Sequence, residues 1–178
     1  MSLERKLTEQ TFANGYELVN GVAMHRQNGR QFQIPHAVLK KHIGVAHFVE
    51  LRIDSSRFSA HPDAPEQCIC EFCKGVASKP VLTHEQPASL VPLPPQNVPS
   101  RGWGEDFWVK IVERRGDFLR GVVDNPLYEA RLHDLRQGHE ILCHLDHVLA
   151  IHPIHRQEMV LGMVEADLRQ LVEWLGTL

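Results

Sequence analysis

The sequence contains no long apolar run. Its longest, Val148-Leu149-Ala150-Ile151, is far shorter than the ~20 residues that a membrane-spanning helix needs. Residues 1–10 carry Glu4 and Glu9 and show no apolar segment of the kind found in secretory signals. These absences predict a chain with no membrane partner, and we expect it in the cytoplasm.

An excess of positive charge is also lacking. Lys and Arg number 19 against 22 Asp and Glu, so the formal net charge is −3, whereas nucleic-acid binders usually have a basic excess. The nucleophile elbow, the phosphate-binding loop, the dinucleotide fingerprint and the zinc-protease motif are all absent. We therefore expect no nucleic-acid partner and a binding protein rather than an enzyme, with no catalytic or cofactor-binding residue assigned.

Proline is sparse except in one segment. Eight of the 11 prolines lie in residues 55–104, where they exclude a regular sheet or a long helix. The 178 residues are typical of one domain, so we predict a single domain over 1–178 with a Pro- and Cys-rich insert at 55–104. Because long structureless connections are uncommon in compact domains, something should tether this insert.

Alternating apolar and polar residues predict a β-rich chain. Strands are expected at 45–53, 107–112, 118–123, 141–145 and 148–151, with a hairpin at Asn28-Gly29 and a short helix at 37–41. Apolar residues at helical spacing predict one C-terminal helix over 157–175, whose packed face should carry Leu161, Val164, Leu168, Leu171 and Leu175. The fold class is α+β: a small bent sheet or partly open barrel with a C-terminal helix and a Pro-rich inserted loop. Seven apolar residues are expected in one shared core: Phe48, Leu51, Trp108, Ile111, Phe118, Val122 and Leu142.

Several short motifs resemble the YegJ-like bacterial domain of unknown function. The resemblance covers about 32–53 and 105–151, although His139 stands where that family usually has Asp, and the insert is not a family feature. The motifs are Phe32-Gln33-Ile34-Pro35, Gly44 with Phe48-Val49-Glu50-Leu51, Glu105-Asp106-Phe107-Trp108-Val109-Lys110-Ile111, Phe118, Gly121, Val123-Asp124-Asn125-Pro126, Leu135, Gly138, Ile141 and His147-Val148.

This resemblance implies a small β-rich bacterial protein with no agreed activity. It supplies no catalytic residue to carry over. Related small domains are often described as immunity-type proteins that neutralise a toxin, which adds a toxin-binding alternative for the partner.

Three cysteines crowd into six residues of the insert. Cys68, Cys70 and Cys73 have the spacing of thiolates that can reach one ion, and a tetrahedral structural Zn²⁺ site needs a fourth ligand. We predict Cys143 as that ligand, with His61 and His84 as alternates. The other interpretations are a surface loop with reduced thiols and a redox-active cysteine pair.

Histidine is abundant, with 12 residues, of which six fall between His133 and His155. The pairs His144/His147 and His152/His155 are spaced three apart. We predict strands here, on which such pairs point to opposite faces, so we expect partly buried and surface histidines rather than chelates.

These observations predict a bacterial cytoplasmic binding module with a structural zinc site and a protein partner, as a monomer or homodimer. Three alternatives stay open at this point: a small metal-dependent hydrolase with Cys/His ligands, an immunity-type toxin-neutralising protein, and a thiol redox or metal sensor.

Overall fold

A curled, open antiparallel sheet forms the centre of the molecule in the computed structural model, which describes residues 2–55, 58–59, 81–82, 103–128 and 130–177. Its strands are β1 (Glu17–Leu18), β2 (Phe48–Ser55), β5 (Trp103–Arg115), β6 (Phe118–Val123), β7 (Glu140–His144) and β8 (Ala150–Ile151); a separate pair is formed by β3 (Phe58–Ser59) and β4 (Val81–Leu82). The strand order in the sheet is β1-β2-β5-β6-β7, and β8 also pairs with β2.

Alternation along most of each strand produces one face that is buried from water. Val49, Leu51 and Ile53 on β2 are fully buried, and so are Val109 and Ile111 on β5. Because β2 pairs with β5 from Phe48↔Lys110 to Ser55↔Trp103, the chain before the insert and the chain after it share one sheet, as predicted. The α+β fold class is therefore confirmed.

The predicted core is only partly correct. Leu51 and Ile111 are fully buried, but the other five predicted residues alternate onto the opposite face of the sheet and are half-buried. Three of their aromatic rings are covered by histidines: Trp108 lies 5.1 Å from His152 between ring centroids, Phe118 lies 5.1 Å from His144, and Phe48 lies 5.7 Å from His155.

The region before β2 is helical, so the hairpin predicted at Asn28-Gly29 is wrong. The Asn20 side chain accepts a hydrogen bond from the Ala23 amide at 2.9 Å and thereby caps a helix, which ends at Gly29 with φ 57°. A capping Asn and a left-handed Gly are helix boundaries as readily as turn residues. The helices of this part are α1 (Leu3–Glu9), α2 (Gly21–Asn28) and α3 (Ala37–Lys41), and α3 confirms the prediction for 37–41.

The chain after β8 forms two helices where one was predicted over 157–175. After the short α4 (Ala130–His133) come α5 (Arg156–Leu161) and α6 (Glu165–Leu175), with a break at Gly162 and Met163. Gly162 is the C-cap of α5, and Val164 is extended with ψ 160° and precedes the new helix. Leu161 and Val164, expected on the packed face, are 77% and 62% exposed.

Among the described residues, no helix has both the length and the apolarity that a membrane crossing requires.

Candidate functional site

Helix α3 is buried on two sides although it has only five residues. Residues two apart on an α-helix point about 200° from one another, so Val38 and Lys40 face opposite directions. Val38 packs with Met163 and Leu171, while Lys40 is only 5% exposed on the other side. The short helix therefore carries a lysine into the interior.

Polar contacts hold α3 in this position. Asp167 of α6 accepts hydrogen bonds from Lys41 Nζ at 2.8 Å and from His42 Nε2 at 2.7 Å. The hydrogen bond from Lys41, and to a smaller extent the one from His42, hold the pKa of Asp167 below its usual range. At the C-terminal end of α3, Arg114 of β5 donates to the carbonyl of Lys41 at 2.8 Å, which satisfies part of the helix terminus.

A cavity of about 460 Å³ lies beside α3, which places it within the size range of small-molecule sites. Its wall is built from five stretches of chain: α2, residues 33–41 with α3, the end of β5 and the turn after it, the end of β7 and the turn after it, and α6. Lys40 is one of the lining residues, and so are His36 and Trp174, whose rings stack at 5.6 Å. We call this cavity the Lys40 pocket.

The amine of Lys40 is the unusual group of this pocket. Nζ is shielded from water, and no hydrogen-bond acceptor reaches it from the described part of the chain. Burial lowers the pKa of Lys40 from 10.5 to about 8, against an opposing effect of the Asp146 carboxylate. The amine is therefore still mostly protonated at neutral pH, and an ammonium buried without an acceptor is costly.

The remaining charges of the pocket nearly balance. Lys41 and Arg114 are already engaged by Asp167 and by backbone carbonyls, and the carboxylates Asp117 and Asp146 also line the pocket. The only lining cation without an acceptor, among the described residues, is Lys40. The local charge therefore favours a ligand that carries one negative charge over one that carries two.

A second polar cluster joins the start of β2 to α5. His47 Nε2 lies 2.9 Å from Glu158 Oε1, and His155 Nδ1 lies 2.8 Å from the same oxygen, with the two rings stacked at 4.5 Å. Within the described part of the chain, this is the one group of three side chains that converges closely enough to hold a metal ion.

The other ring nitrogens of this cluster argue against a metal. His47 Nδ1 accepts the Gly44 amide at 3.1 Å, and His155 Nε2 accepts the Phe48 amide at 3.0 Å. A histidine that binds a metal normally donates its second N–H to an acceptor, whereas here each second nitrogen faces a donor. Both imidazoles therefore keep their proton toward Glu158 and act as a clamp between β2 and α5.

Most of the predicted zinc ligands lie in the insert, outside the residues that the structure describes. Cys68, Cys70, Cys73, His61 and His84 lie outside the described residues. Cys143 lies on β7, fully buried among the apolar residues of the sheet, and burial raises the pKa of its thiol to about 12. It packs as a neutral apolar side chain, and its role as a fourth ligand stays a prediction.

The two histidine pairs form no chelate, but the strands expected there are largely turns. Leu145–His147 and Pro153–His155 are 3₁₀ turns, and the predicted strand 148–151 is reduced to β8. Within each pair the ring centroids are 6.5 Å apart. The pairs serve their own turns instead, because His144 Nδ1 accepts the Asp146 amide and His152 Nδ1 accepts the Ile154 amide.

Sequence reasoning missed Lys40, His47 and Glu158. A lysine in a short helix is normally a surface residue, and no local pattern marks Lys40 as buried. The partners of His47 come from α5, more than 100 residues further along the chain, which only the folded sheet brings together.

In comparisons with known proteins, no family model matches the chain, and no curated protein or solved structure matches it either. The fold and the pocket together define a small α+β protein with one enclosed lysine beside a ligand-sized cavity.

Proposed function

We propose that this protein is a non-enzymatic binding module that takes a small carboxylate into the Lys40 pocket. One observation carries the proposal: Lys40 lines a ligand-sized cavity, and its buried ammonium has no hydrogen-bond acceptor among the described residues. When the Lys40 side chain turns toward the cavity, a ligand carboxylate supplies that acceptor and an opposite charge. Hydrogen bonds between charged groups are stronger than neutral ones, so the binding energy concentrates on this contact.

A carboxylate suits the pocket better than a phosphate does. Asp146 acts on Lys40 electrostatically, and Asp117 also lines the cavity. A doubly charged ligand would be repelled by both, whereas a single negative charge is matched by Lys40. The aromatic wall of His36 and Trp174 provides a flat surface for an unsaturated or ring-bearing acid.

The test is calorimetric titration with benzoate, with benzamide as the neutral counterpart. We expect benzoate to bind with a dissociation constant of about 1 mM or lower, and benzamide to bind at least about tenfold more weakly. Lys40→Met, which keeps the length of the side chain and removes its charge, should weaken benzoate binding by about tenfold or more.

Lys110→Met is the matched control, since Lys110 is exposed on β5 and lines neither the pocket nor its opening. It should leave benzoate binding unchanged. Equal binding of benzoate and benzamide, or equal effects of the two lysine variants, would show that Lys40 recognises no carboxylate.

A structural zinc site on Cys68, Cys70 and Cys73 and a protein partner remain part of this proposal. Exposed apolar side chains support the partner, since Leu161, Val164 and Val172 on or beside the last two helices are 77%, 62% and 68% exposed. The YegJ-like resemblance, the immunity-type role, the hydrolase and the thiol sensor stay predictions that rest on the sequence.

A further inference from the structure

A second cavity adjoins the Lys40 pocket. It measures about 510 Å³ and shares four lining residues with the first: Gln33, Ile34, Pro35 and Trp174. Three of these four are apolar or aromatic, so the junction offers little that would repel a hydrocarbon chain. The two cavities are therefore neighbours that share one wall.

The second cavity is apolar where the first is charged. Its lining includes nine aliphatic or thioether side chains, and Arg156, on the exposed surface, is its one charged residue among those described. The larger ones include Leu39, Leu149, Ile151, Met159, Leu171 and Leu175. We call this cavity the apolar groove.

We propose that the natural ligand is an amphipathic monocarboxylate whose head meets Lys40 and whose hydrocarbon tail runs past Trp174 into the apolar groove. This inference rests on the proposed function and adds the ligand class to it. The charge defines the head, because Lys40, whose buried ammonium has no acceptor among the described residues, lines the first cavity, whereas the charged lining residue of the second, Arg156, lies on the exposed surface. The shared wall defines the tail, because the same residues line the pocket and the groove.

Apolar residues of the groove are exposed, as expected for a surface that the hydrocarbon tail of a ligand covers in the complex. Leu175 is 53% exposed and Val160 is 39% exposed, although both line the groove. Covering apolar surface of this kind stabilises a complex by about 25 cal/mol per Å². A hydrocarbon chain can supply that cover without introducing a second charge.

The experiment measures the affinity of acetate, hexanoate and decanoate at submillimolar concentrations, with decanol as the uncharged analogue of the longest acid. The affinity should rise along the series by up to about fourfold for each methylene that enters the groove. Decanol should bind more weakly than decanoate, and Lys40→Met should remove most of that difference.

Two variants of one helix separate the groove from general effects. Leu175→Glu places a charge in the groove and should weaken decanoate at least about tenfold while leaving benzoate unchanged. Val172→Glu places the same charge on an exposed residue of α6 that lines neither cavity, and it should leave both ligands unchanged.

The failures are distinguishable. If benzoate binds through Lys40 but the affinity does not depend on chain length, the tail assignment is overturned and the proposed function stands. If no carboxylate depends on Lys40, the proposed function itself is wrong. If Leu175→Glu changes the sedimenting mass and not the affinity for decanoate, the groove is covered by a second copy of the chain, which also overturns the tail assignment.

Discussion

Histidine side chains in this protein act mainly as acceptors for backbone amides. Seven of them accept such a bond through a ring nitrogen, which requires that nitrogen to be unprotonated. The fully buried His133 shows the pattern: Nδ1 accepts the Leu135 amide at 3.0 Å while Nε2 lies 2.7 Å from Glu105. The seven are His36, His47, His133, His144, His147, His152 and His155.

At this scale we predict that His147 makes the fold sensitive to acid. Burial lowers the pKa of His147 to about 4, with further lowering by His144 and Lys40 and an opposing effect of Asp146. The unfolded chain takes up this proton below the ordinary value of 6.5 and the folded chain does not. The free energy of unfolding should therefore fall as the pH drops from about 6.5 towards 4, by about 2 kcal/mol between pH 7 and pH 5.

His147→Asn tests this prediction, because the Asn carbonyl can still accept the His144 amide but does not titrate. In urea unfolding, the loss of stability between pH 7 and pH 5 should be smaller in this variant by about 1–2 kcal/mol. His139→Asn, at an exposed position, is the control and should keep the wild-type pH dependence. The same pH dependence in both variants would contradict the role of His147.

Single residues of the site were the least predictable part. The abundance of histidine was visible in the sequence, but its use depends on which backbone amide each ring meets. Lys40 carries no signal at all, because its burial results from the fit of α3 between α6 and the turn after β7.

Helix boundaries were predicted where one strong signal acted alone and missed where two interpretations competed. The segment 37–41 has no competing strand pattern and is α3. Asn20 and Gly29 are both common in turns and at helix ends. The chain forms the helix α2 here because the Asn20 side chain accepts a hydrogen bond from an otherwise free amide of its first turn.

Packing of α6 on its own chain leads to a prediction at the scale of the element. Leu171 is 8% exposed in a small cluster with Val38 and Met163. Leu171→Ala should lower the free energy of unfolding by about 2–3 kcal/mol, because it leaves a cavity between α3 and α6. Val172→Ala, on the exposed side, should change it by no more than about 0.5 kcal/mol.

Sedimentation of both variants completes this test. If α6 packs within its own chain, the sedimenting mass should equal that of the wild type while Leu171→Ala alone loses stability. A loss of mass in Leu171→Ala would place the buried face of α6 against a second copy and contradict the intramolecular packing.

For the whole molecule, the sheet was predictable and the cavities were not. Alternation is local, so the strands on either side of the insert could be identified, and their pairing as β2 and β5 follows from the need to bury one face of each. Which side of each strand faces the core was partly mispredicted. Large aromatic residues such as Trp108 suggested the core side, whereas these residues lie on the other face of the sheet, where histidines cover them. The Lys40 pocket needs five separate segments to meet, which no local pattern encodes.

The central claim concerns the whole arrangement: among the described residues the fold holds one buried ammonium without an acceptor, and we propose that this ammonium binds the carboxylate of a ligand. Its most direct test is the pKa of Lys40, measured by NMR on protein with isotope-labelled lysines and assigned by the loss of a signal in Lys40→Met. Without ligand the pKa should be about 8, and saturating benzoate should raise it towards the ordinary 10.5, because a bound carboxylate favours the charged amine. A pKa of 10.5 in the free protein, or one that benzoate leaves at about 8, would contradict the account.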